Sequence, residues 1–148
     1  MDINRFTERA QEAISAGQTK AVRYGHQQVD IEHVLVALRE QERGLATAIL
    51  SKAGIQADPL RERAEKELDR MPKVSSPTGA AGQIYITGRL NKLMVQAEDE
   101  AKKFKDEYIS VEHLLLAMTD DTGTAGKLLR EFGATRDRVL AALQEVRG

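Results

Sequence analysis

Two stretches of the sequence decide the fold: residues 7–37, TERAQEAISAGQTKAVRYGHQQVDIEHVLVA, and residues 87–117, TGRLNKLMVQAEDEAKKFKDEYISVEHLLLA. At a constant offset (113 − 33 = 80) the second repeats the first, with these identical pairs: Thr7 and Thr87, Arg9 and Arg89, Ala21 and Ala101, Glu32 and Glu112, His33 and His113, Leu35 and Leu115, Ala37 and Ala117. After a one-residue deletion the match continues at other positions, with Gly44, Ala46, Leu50, Gly54 and Asp58 opposite Gly123, Ala125, Leu129, Gly133 and Asp137. Two copies predict two pseudo-equivalent halves packed face to face, because a solenoid needs at least three repeats.

Length and composition point to one compact domain. A chain of 148 residues buries roughly 70% of its unfolded surface. The 22 basic and 23 acidic residues nearly cancel, so we expect neither nucleic acid nor an anionic membrane as a partner. No apolar run approaches the length of a membrane span, and no signal-peptide pattern opens the chain. With no cysteine, disulfides and thiolate chemistry are excluded, and a cytoplasmic location is the default expectation.

The hydrophobic periodicity predicts an all-α fold of about eight helices, a four-helix motif repeated with pseudo-twofold symmetry. The first helix of each copy has one apolar face, and the second helices (about 31–39 and 111–119) are apolar on several sides and should be central. Asp2 or Asn4 is expected to cap the first helix and Asp58-Pro59 to start the fourth, while Asp30 and Ser110 cap the central pair. Gly25, Gly54 and Gly133 should end helices.

We expect a single domain over residues 1–148. Repeat 1 occupies about 4–70, a connector about 71–86, and repeat 2 about 87–148. The connector is rich in Pro, Ser and Gly over 71–83, which predicts a flexible segment, and Ile84-Tyr85-Ile86 then predicts a short extended stretch.

Motifs for catalysis and for metal binding are missing from the sequence. The glycine cluster at 79–82 lacks the lysine and the helix of a phosphate loop, and there is no HExxH or GxSxG. The three histidines, His26, His33 and His113, have no metal-ligand spacing. His33 and His113 could approach each other across the pseudo-twofold axis, but a core histidine that donates to a backbone carbonyl is the favoured interpretation. We therefore expect no catalytic residue, no metal and no cofactor in this chain.

Several of these segments together resemble a known family. They are Arg5-Phe6-Thr7-Glu8-Arg9-Ala10-Gln11, Asp30-Ile31-Glu32-His33, Ser110-Val111-Glu112-His113 and the paired helices that end in glycine. They resemble the Clp N domain, the mobile N-terminal domain of Clp-type AAA+ chaperones, and the resemblance covers nearly the whole chain. The long connector and the segment Ile84–Leu90 look more like ClpB, the disaggregase, than like ClpC or ClpA, although Phe6–Ala10 is also common in ClpC.

The resemblance implies that the chain binds unfolded or aggregated polypeptide in an apolar groove with a polar rim and delivers it to an AAA+ ring. It also implies a homohexameric parent, with ATP and Mg²⁺ bound only in ATPase modules outside this chain. The balanced surface and the self-contained duplicated core favour a monomeric isolated domain. Three polar family positions carry over onto Thr7, Asp106 and Glu112. Neighbouring apolar residues could form the floor of the groove or belong to the core: Leu90, Leu93, Met94, Tyr108 and Val111. His26 replaces Asp106 in the first copy, so the two halves should not bind alike.

Two other functions stay open on the sequence. The domain could dock a folded adaptor protein, which requires a larger and well-packed interface. Alternatively, as the ClpC resemblance implies, Glu32 and Glu112 could hold the guanidinium group of a phosphorylated arginine through charge-assisted hydrogen bonds.

Overall fold

A computed structural model describes residues 2–74 and 84–148 of the chain. These residues form eight α-helices: α1 Glu8–Arg23, α2 Ile31–Glu40, α3 Leu45–Lys52, α4 Ala57–Arg70, α5 Gly88–Lys103, α6 Val111–Met118, α7 Thr124–Glu131 and α8 Arg136–Arg147. Two short strands, β1 (Gln28–Val29) and β2 (Tyr85–Ile86), and a 3-10 turn at Ile3–Arg5 complete the described elements. The predicted all-α fold is confirmed. Most of the predicted connector, together with the glycine cluster at 79–82, lies outside the described residues.

The second helix of each repeat lies at the centre of its half. All residues from Ile31 to Leu38 in α2 are buried, and in α6 Glu112 alone interrupts the buried run from Val111 to Met118. Helix α1 packs on α2, and α5 packs on α6 in the same way. The many-sided apolar pattern of these two helices therefore reflects neighbours on several sides, as the sequence predicted.

The two repeats hold each other through reciprocal helix contacts. Helix α3 of the first repeat packs on α8 of the second, and α4 packs on α7. Each pair joins a third helix to a fourth helix of the other repeat, as pseudo-twofold symmetry requires. Neither half closes its own core, so the two copies share one continuous buried cluster.

In each repeat, the segment before the first helix pairs with the other repeat. Strand β2 pairs in parallel with β1, with Gln28 opposite Tyr85 and Val29 opposite Ile86, which confirms the predicted extended stretch. At the pseudo-equivalent place, Phe6 forms a parallel bridge with Ile109 (86 − 80 = 6 and 109 − 80 = 29). The exchange places the start of α1 beside the start of α6, and the start of α5 beside the start of α2.

Two helices begin at other residues than the sequence predicted. Thr7 caps α1, whereas Asp2 caps the 3-10 turn and Asn4 lies within that turn. The reason is that Phe6 must stay extended to pair with the other repeat, so α1 cannot begin before it. Helix α4 begins one residue before Asp58-Pro59, with Gln56 at the cap position. Proline fits there because the first turn of a helix needs no intrahelical N–H donors.

The predicted glycine ends are confirmed, and one of them has an unusual counterpart. Gly25, Gly54 and Gly133 adopt positive φ angles of 77°, 80° and 89° after their helices. The counterpart of Gly25 in the second repeat is Lys105 (25 + 80 = 105), which adopts φ 59°. A side chain in this left-handed region costs about 1–2 kcal/mol, so the residue just before Asp106 is strained.

Candidate functional site

The strand exchange brings Thr7 of the first repeat to the polar end of the second repeat. The side-chain hydroxyl of Thr7 accepts a hydrogen bond from the Ala10 N–H at 3.2 Å. The backbone N–H of Thr7 donates to the Ile109 carbonyl at 2.9 Å. Ile109 lies three residues before Glu112, at the start of α6. Thr7 thus combines the capping role with a position beside the predicted acids, although the two segments are about a hundred residues apart in sequence.

Asp106 lies at the centre of a small network of charged and polar groups. Both of its oxygens accept from the guanidinium of Arg147, at 2.8 Å each, and one oxygen also contacts Nε2 of His113 at 2.8 Å. The other ring nitrogen of His113, Nδ1, accepts from the Ser110 N–H at 2.9 Å, so a neutral ring donates through Nε2 to Asp106. Hydrogen bonds from Arg147 and then His113 hold the pKa of Asp106 down at about 2. The carboxyl group is therefore a permanent anion at neutral pH.

Glu112 lies next to this network and is less completely paired. Its carboxylate accepts from the Ser110 hydroxyl and is 3.7 Å from the Arg147 guanidinium, while its side chain is 12% exposed. Burial raises the pKa of Glu112, an effect that the positive charge of Arg147 opposes. We call Asp106 and Glu112 together the acidic corner. The guanidinium of Arg147 also lies 4.9 Å from the centroid of the Phe104 ring, in a cation–π arrangement.

The pseudo-equivalent place in the first repeat is closed by the chain itself. Arg89 donates to Glu32 (3.2 and 3.4 Å), to Asp30 (2.9 Å) and to Asp121 (3.0 Å). The Ala125 N–H donates to Glu32 as well, at 2.9 Å, and the Glu32 side chain has no exposed surface. Both oxygens of Glu32 therefore have intramolecular donors. Of the two acids in the phosphoarginine alternative, only Glu112 keeps accessible surface.

The histidines have a different role from the one expected of core histidines. His33 and His113 each occupy the third position of a central helix, and each accepts a backbone N–H through Nδ1, from Asp30 and Ser110 respectively. The expectation that they donate to a backbone carbonyl is wrong, because the unpaired N–H groups at a helix start require an acceptor. They do not pair across the axis either: Nε2 of His33 contacts Nδ1 of His26 at 2.8 Å, within its own repeat. His26 and Asp106 thus occupy the same place in the two halves.

The predicted apolar floor divides between core and surface. Leu90, Leu93, Met94 and Val111 are at most 5% exposed, so the core alternative describes these four residues. Three of them lie on α5, which packs on α6, and periodicity within one helix could not distinguish such a packed face from an open groove. Tyr108, in contrast, is 53% exposed beside the Phe6–Ile109 bridge.

Other exposed residues of this region were not indicated as site residues by the sequence patterns. Arg147 was not singled out, although the offset of 79 between the fourth helices places it opposite Leu68 and so gives a signal of asymmetry. Ile3 is 44% exposed and lies three residues before Phe6 of the bridge, and Val146 is 37% exposed and directly precedes Arg147. Exposed apolar groups beside charged ones suit a surface that covers part of another chain.

The described residues contain neither a metal-binding cluster nor a membrane-spanning helix. Among residues 2–74 and 84–148, no group of three or more His, Asp or Glu side chains is arranged to hold a metal ion. No helix within the same ranges is long and apolar enough to cross a membrane.

The sequence that forms this duplicated all-α fold matches a known protein family. The family of the Clp repeat (R) N-terminal domain matches residues 5–132, and the chain belongs to this family. The particular relatives agree with the resemblance drawn from the residues. The chain is 43% identical over 150 residues to the chaperone protein ClpB of Nitratidesulfovibrio vulgaris, and 43% identical over 148 residues to that of Bacillus cereus. Each match covers 100% of this chain and 17% of the relative, so the chain spans about a sixth of those proteins.

Solved structures confirm the fold. The N-terminal domain of Hsp104 from Candida albicans superposes with a TM-score of 0.82 at 20% identity, over 97% of this chain and 91% of that one. The N-terminal domain of the caseinolytic protease associated chaperone ClpD from Arabidopsis thaliana gives a TM-score of 0.74 at 27% identity, over 100% and 98% of the two chains.

Proposed function

We propose that this chain is the substrate-recognition domain of a ClpB-like disaggregase and binds unfolded or aggregated polypeptide at the surface formed by Thr7, the acidic corner and Tyr108. The domain itself is non-catalytic, and ATP and Mg²⁺ belong to the AAA+ ring that receives the polypeptide. The similarity to ClpB chaperones supports this assignment.

One observation carries the proposal: pseudo-symmetry is broken at this surface. The two halves provide equivalent helix starts, but in the first half Arg89 closes the place and Glu32 is fully buried. In the second half Glu112 keeps some exposure and Tyr108 is half exposed, at a position where the first half has Gln28 (108 − 80 = 28). An exposed tyrosine next to carboxylates offers apolar area together with a polar rim, as a weak and adaptable polypeptide site requires.

The phosphoarginine alternative receives less support from the geometry. Both acids would have to hold the ligand, yet Glu32 is engaged by Arg89 and by the Ala125 N–H. The adaptor alternative has no specific observation in its favour. Both remain outcomes of the experiment below.

The test is an NMR titration of this chain with reduced, carboxymethylated α-lactalbumin, beside native α-lactalbumin as the folded control. We expect shifts around Thr7, Tyr108 and Glu112 with the unfolded protein only. Tyr108→Ala should weaken binding about tenfold, because truncating an anchoring tyrosine costs about 1–2 kcal/mol. The matched control is Tyr85→Ala, since Tyr85 is equally exposed (54% against 53%) at the other half.

Different outcomes would assign the surface differently. Equal weakening by Tyr108→Ala and Tyr85→Ala would remove the acidic corner from the proposal. Binding of an arginine-phosphorylated unfolded protein, without binding of its plain counterpart, would replace the proposal by the phosphoarginine alternative. Binding of neither would leave a folded adaptor as the partner to seek.

A further inference from the structure

Arg147, in the last turn of α8, reaches the acidic corner from a stretch of the helix that is otherwise exposed. The buried residues of α8 end at Leu143, and residues 144–148 are all exposed. Arg147 nevertheless reaches back to the acidic corner, with two hydrogen bonds to Asp106 at 2.8 Å and a separation of 3.7 Å from Glu112. Its side chain is 36% exposed. The Asp106 side chain is 22% exposed as well, so solvent or another cationic group can reach this pair and compete for it.

Among the described residues, the first repeat has no counterpart of this contact. The residue opposite Arg147 is Leu68 and the residue opposite Asp106 is His26 (147 − 68 = 79 and 106 − 26 = 80), both of them buried. The first repeat also has a guanidinium, that of Arg89, but it lies in the first turn of α5 next to the Thr87 cap and strand β2. There Arg89 pairs with three carboxylates, of which Glu32 is fully buried, whereas the two carboxylate partners of Arg147 both keep accessible surface.

We propose that Arg147 is a displaceable clasp that covers the acidic corner and competes with the bound polypeptide for Asp106 and Glu112. This inference rests on the proposed function of the same surface. A polypeptide can bind the two carboxylates only when Arg147 has left them. The apparent affinity is therefore the intrinsic affinity multiplied by the fraction of molecules in which the clasp is open. Segments that carry arginine or lysine near an apolar residue are the ligands best able to replace the guanidinium, because they restore the charge-assisted hydrogen bonds that its departure breaks.

The experiment measures the affinity of this chain for reduced, carboxymethylated α-lactalbumin before and after removal of the clasp. Arg147→Ala should tighten binding about fivefold, which corresponds to about 1 kcal/mol. Arg147→Lys, which keeps the charge and loses the two-pronged geometry, should tighten it less. Arg70→Ala is the matched control: Arg70 lies in the last turn of α4, is 72% exposed and pairs with Glu67 of its own helix. The affinity of Arg70→Ala for the unfolded protein should equal that of the unchanged chain.

Circular dichroism and thermal unfolding establish that each variant is folded. Asp106 keeps its contact with His113 after Arg147→Ala, so the helices should be intact. Tighter binding by Arg147→Ala but not by Arg70→Ala supports the clasp, even if the unchanged chain binds too weakly to measure. Unchanged or weaker binding by Arg147→Ala overturns the clasp and leaves the proposed function standing. If neither the unchanged chain nor Arg147→Ala binds, the proposed function is wrong and the clasp falls with it.

Discussion

Removal of the Arg89 side chain should destabilise this domain far more than removal of its pseudo-equivalent, Arg9. Arg89 donates to Glu32, which is fully buried, and to Asp30 and Asp121, whose side chains are 15% and 9% exposed. In Arg89→Ala these three carboxylates would face one another without a cation. Arg9 is 49% exposed and pairs with Glu12, which is 59% exposed, so its ion pair contributes less than about 1 kcal/mol.

The expected magnitude follows from the contacts that remain. Removing one partner of a buried pair costs about 3–5 kcal/mol. The lower end applies here, because Arg89 is itself 41% exposed and water can enter the vacated space. The Ala125 N–H also continues to donate to Glu32 at 2.9 Å. We therefore expect Arg89→Ala to lower the free energy of unfolding by about 3 kcal/mol.

Urea unfolding followed by circular dichroism at pH 7 measures this difference. The double variant Glu32→Gln with Arg89→Ala should regain part of the loss, because a neutral amide replaces the buried charge. A loss for Arg89→Ala that is no larger than that for Arg9→Ala would refute the reasoning. It would mean that water hydrates the Glu32 carboxylate at little cost once Arg89 is gone, and then the phosphoarginine alternative would regain support.

Three further predictions concern packing, strain and pH. Gly126→Ala should lower the free energy of unfolding by more than about 2 kcal/mol in urea, because a Cβ there would lie 1.8 Å from the Asp121 carbonyl oxygen. A Cβ at Gly88 would have no atom within 4 Å, so the control Gly88→Ala should be neutral or slightly stabilising. Lys105→Gly should raise the free energy of unfolding by about 0.5–1 kcal/mol by relieving the left-handed backbone, and an unchanged urea midpoint would contradict this. Burial, and then the charge of His26, lower the pKa of His33 from 6.5 to about 4. The unfolded state therefore binds the proton more tightly than the folded state does. Stability should fall as the pH drops from about 6.5 to about 4. Between pH 7 and pH 5 the free energy of unfolding should fall by about 2 kcal/mol. This fall should be smaller in His33→Gln, whose amide can still accept a hydrogen bond from the Asp30 N–H. An equal fall in His33→Gln would mean that another group causes the pH dependence.

Residue patterns predicted the helices because helix formation is local. Apolar residues at helical spacing identified all eight helices, and the glycines identified where several of them end. The first residues of the helices were less predictable, since Thr7 rather than Asp2 or Asn4 caps α1. What decides that start is the pairing of Phe6 with Ile109, a contact between residues distant in sequence.

The candidate site divides in the same way. The family resemblance named Thr7, Asp106 and Glu112, and the repeat showed that His26 replaces Asp106 in the first half. Neither could show that Arg147 would meet Asp106, because α8 reaches that place only after packing on α3 of the other repeat.

By itself the sequence determined the duplication, the helical class, the central position of the second helices and the family. Only the tertiary structure decided which acids are covered: Glu32 by Arg89 of the opposite repeat, Glu112 in part by the end of α8. It likewise decided that Leu90 is core while Tyr108 is surface. The physical reason is that hydrophobic periodicity records which face of a helix is apolar, whereas exposure depends on whether another segment of the chain lies against that face.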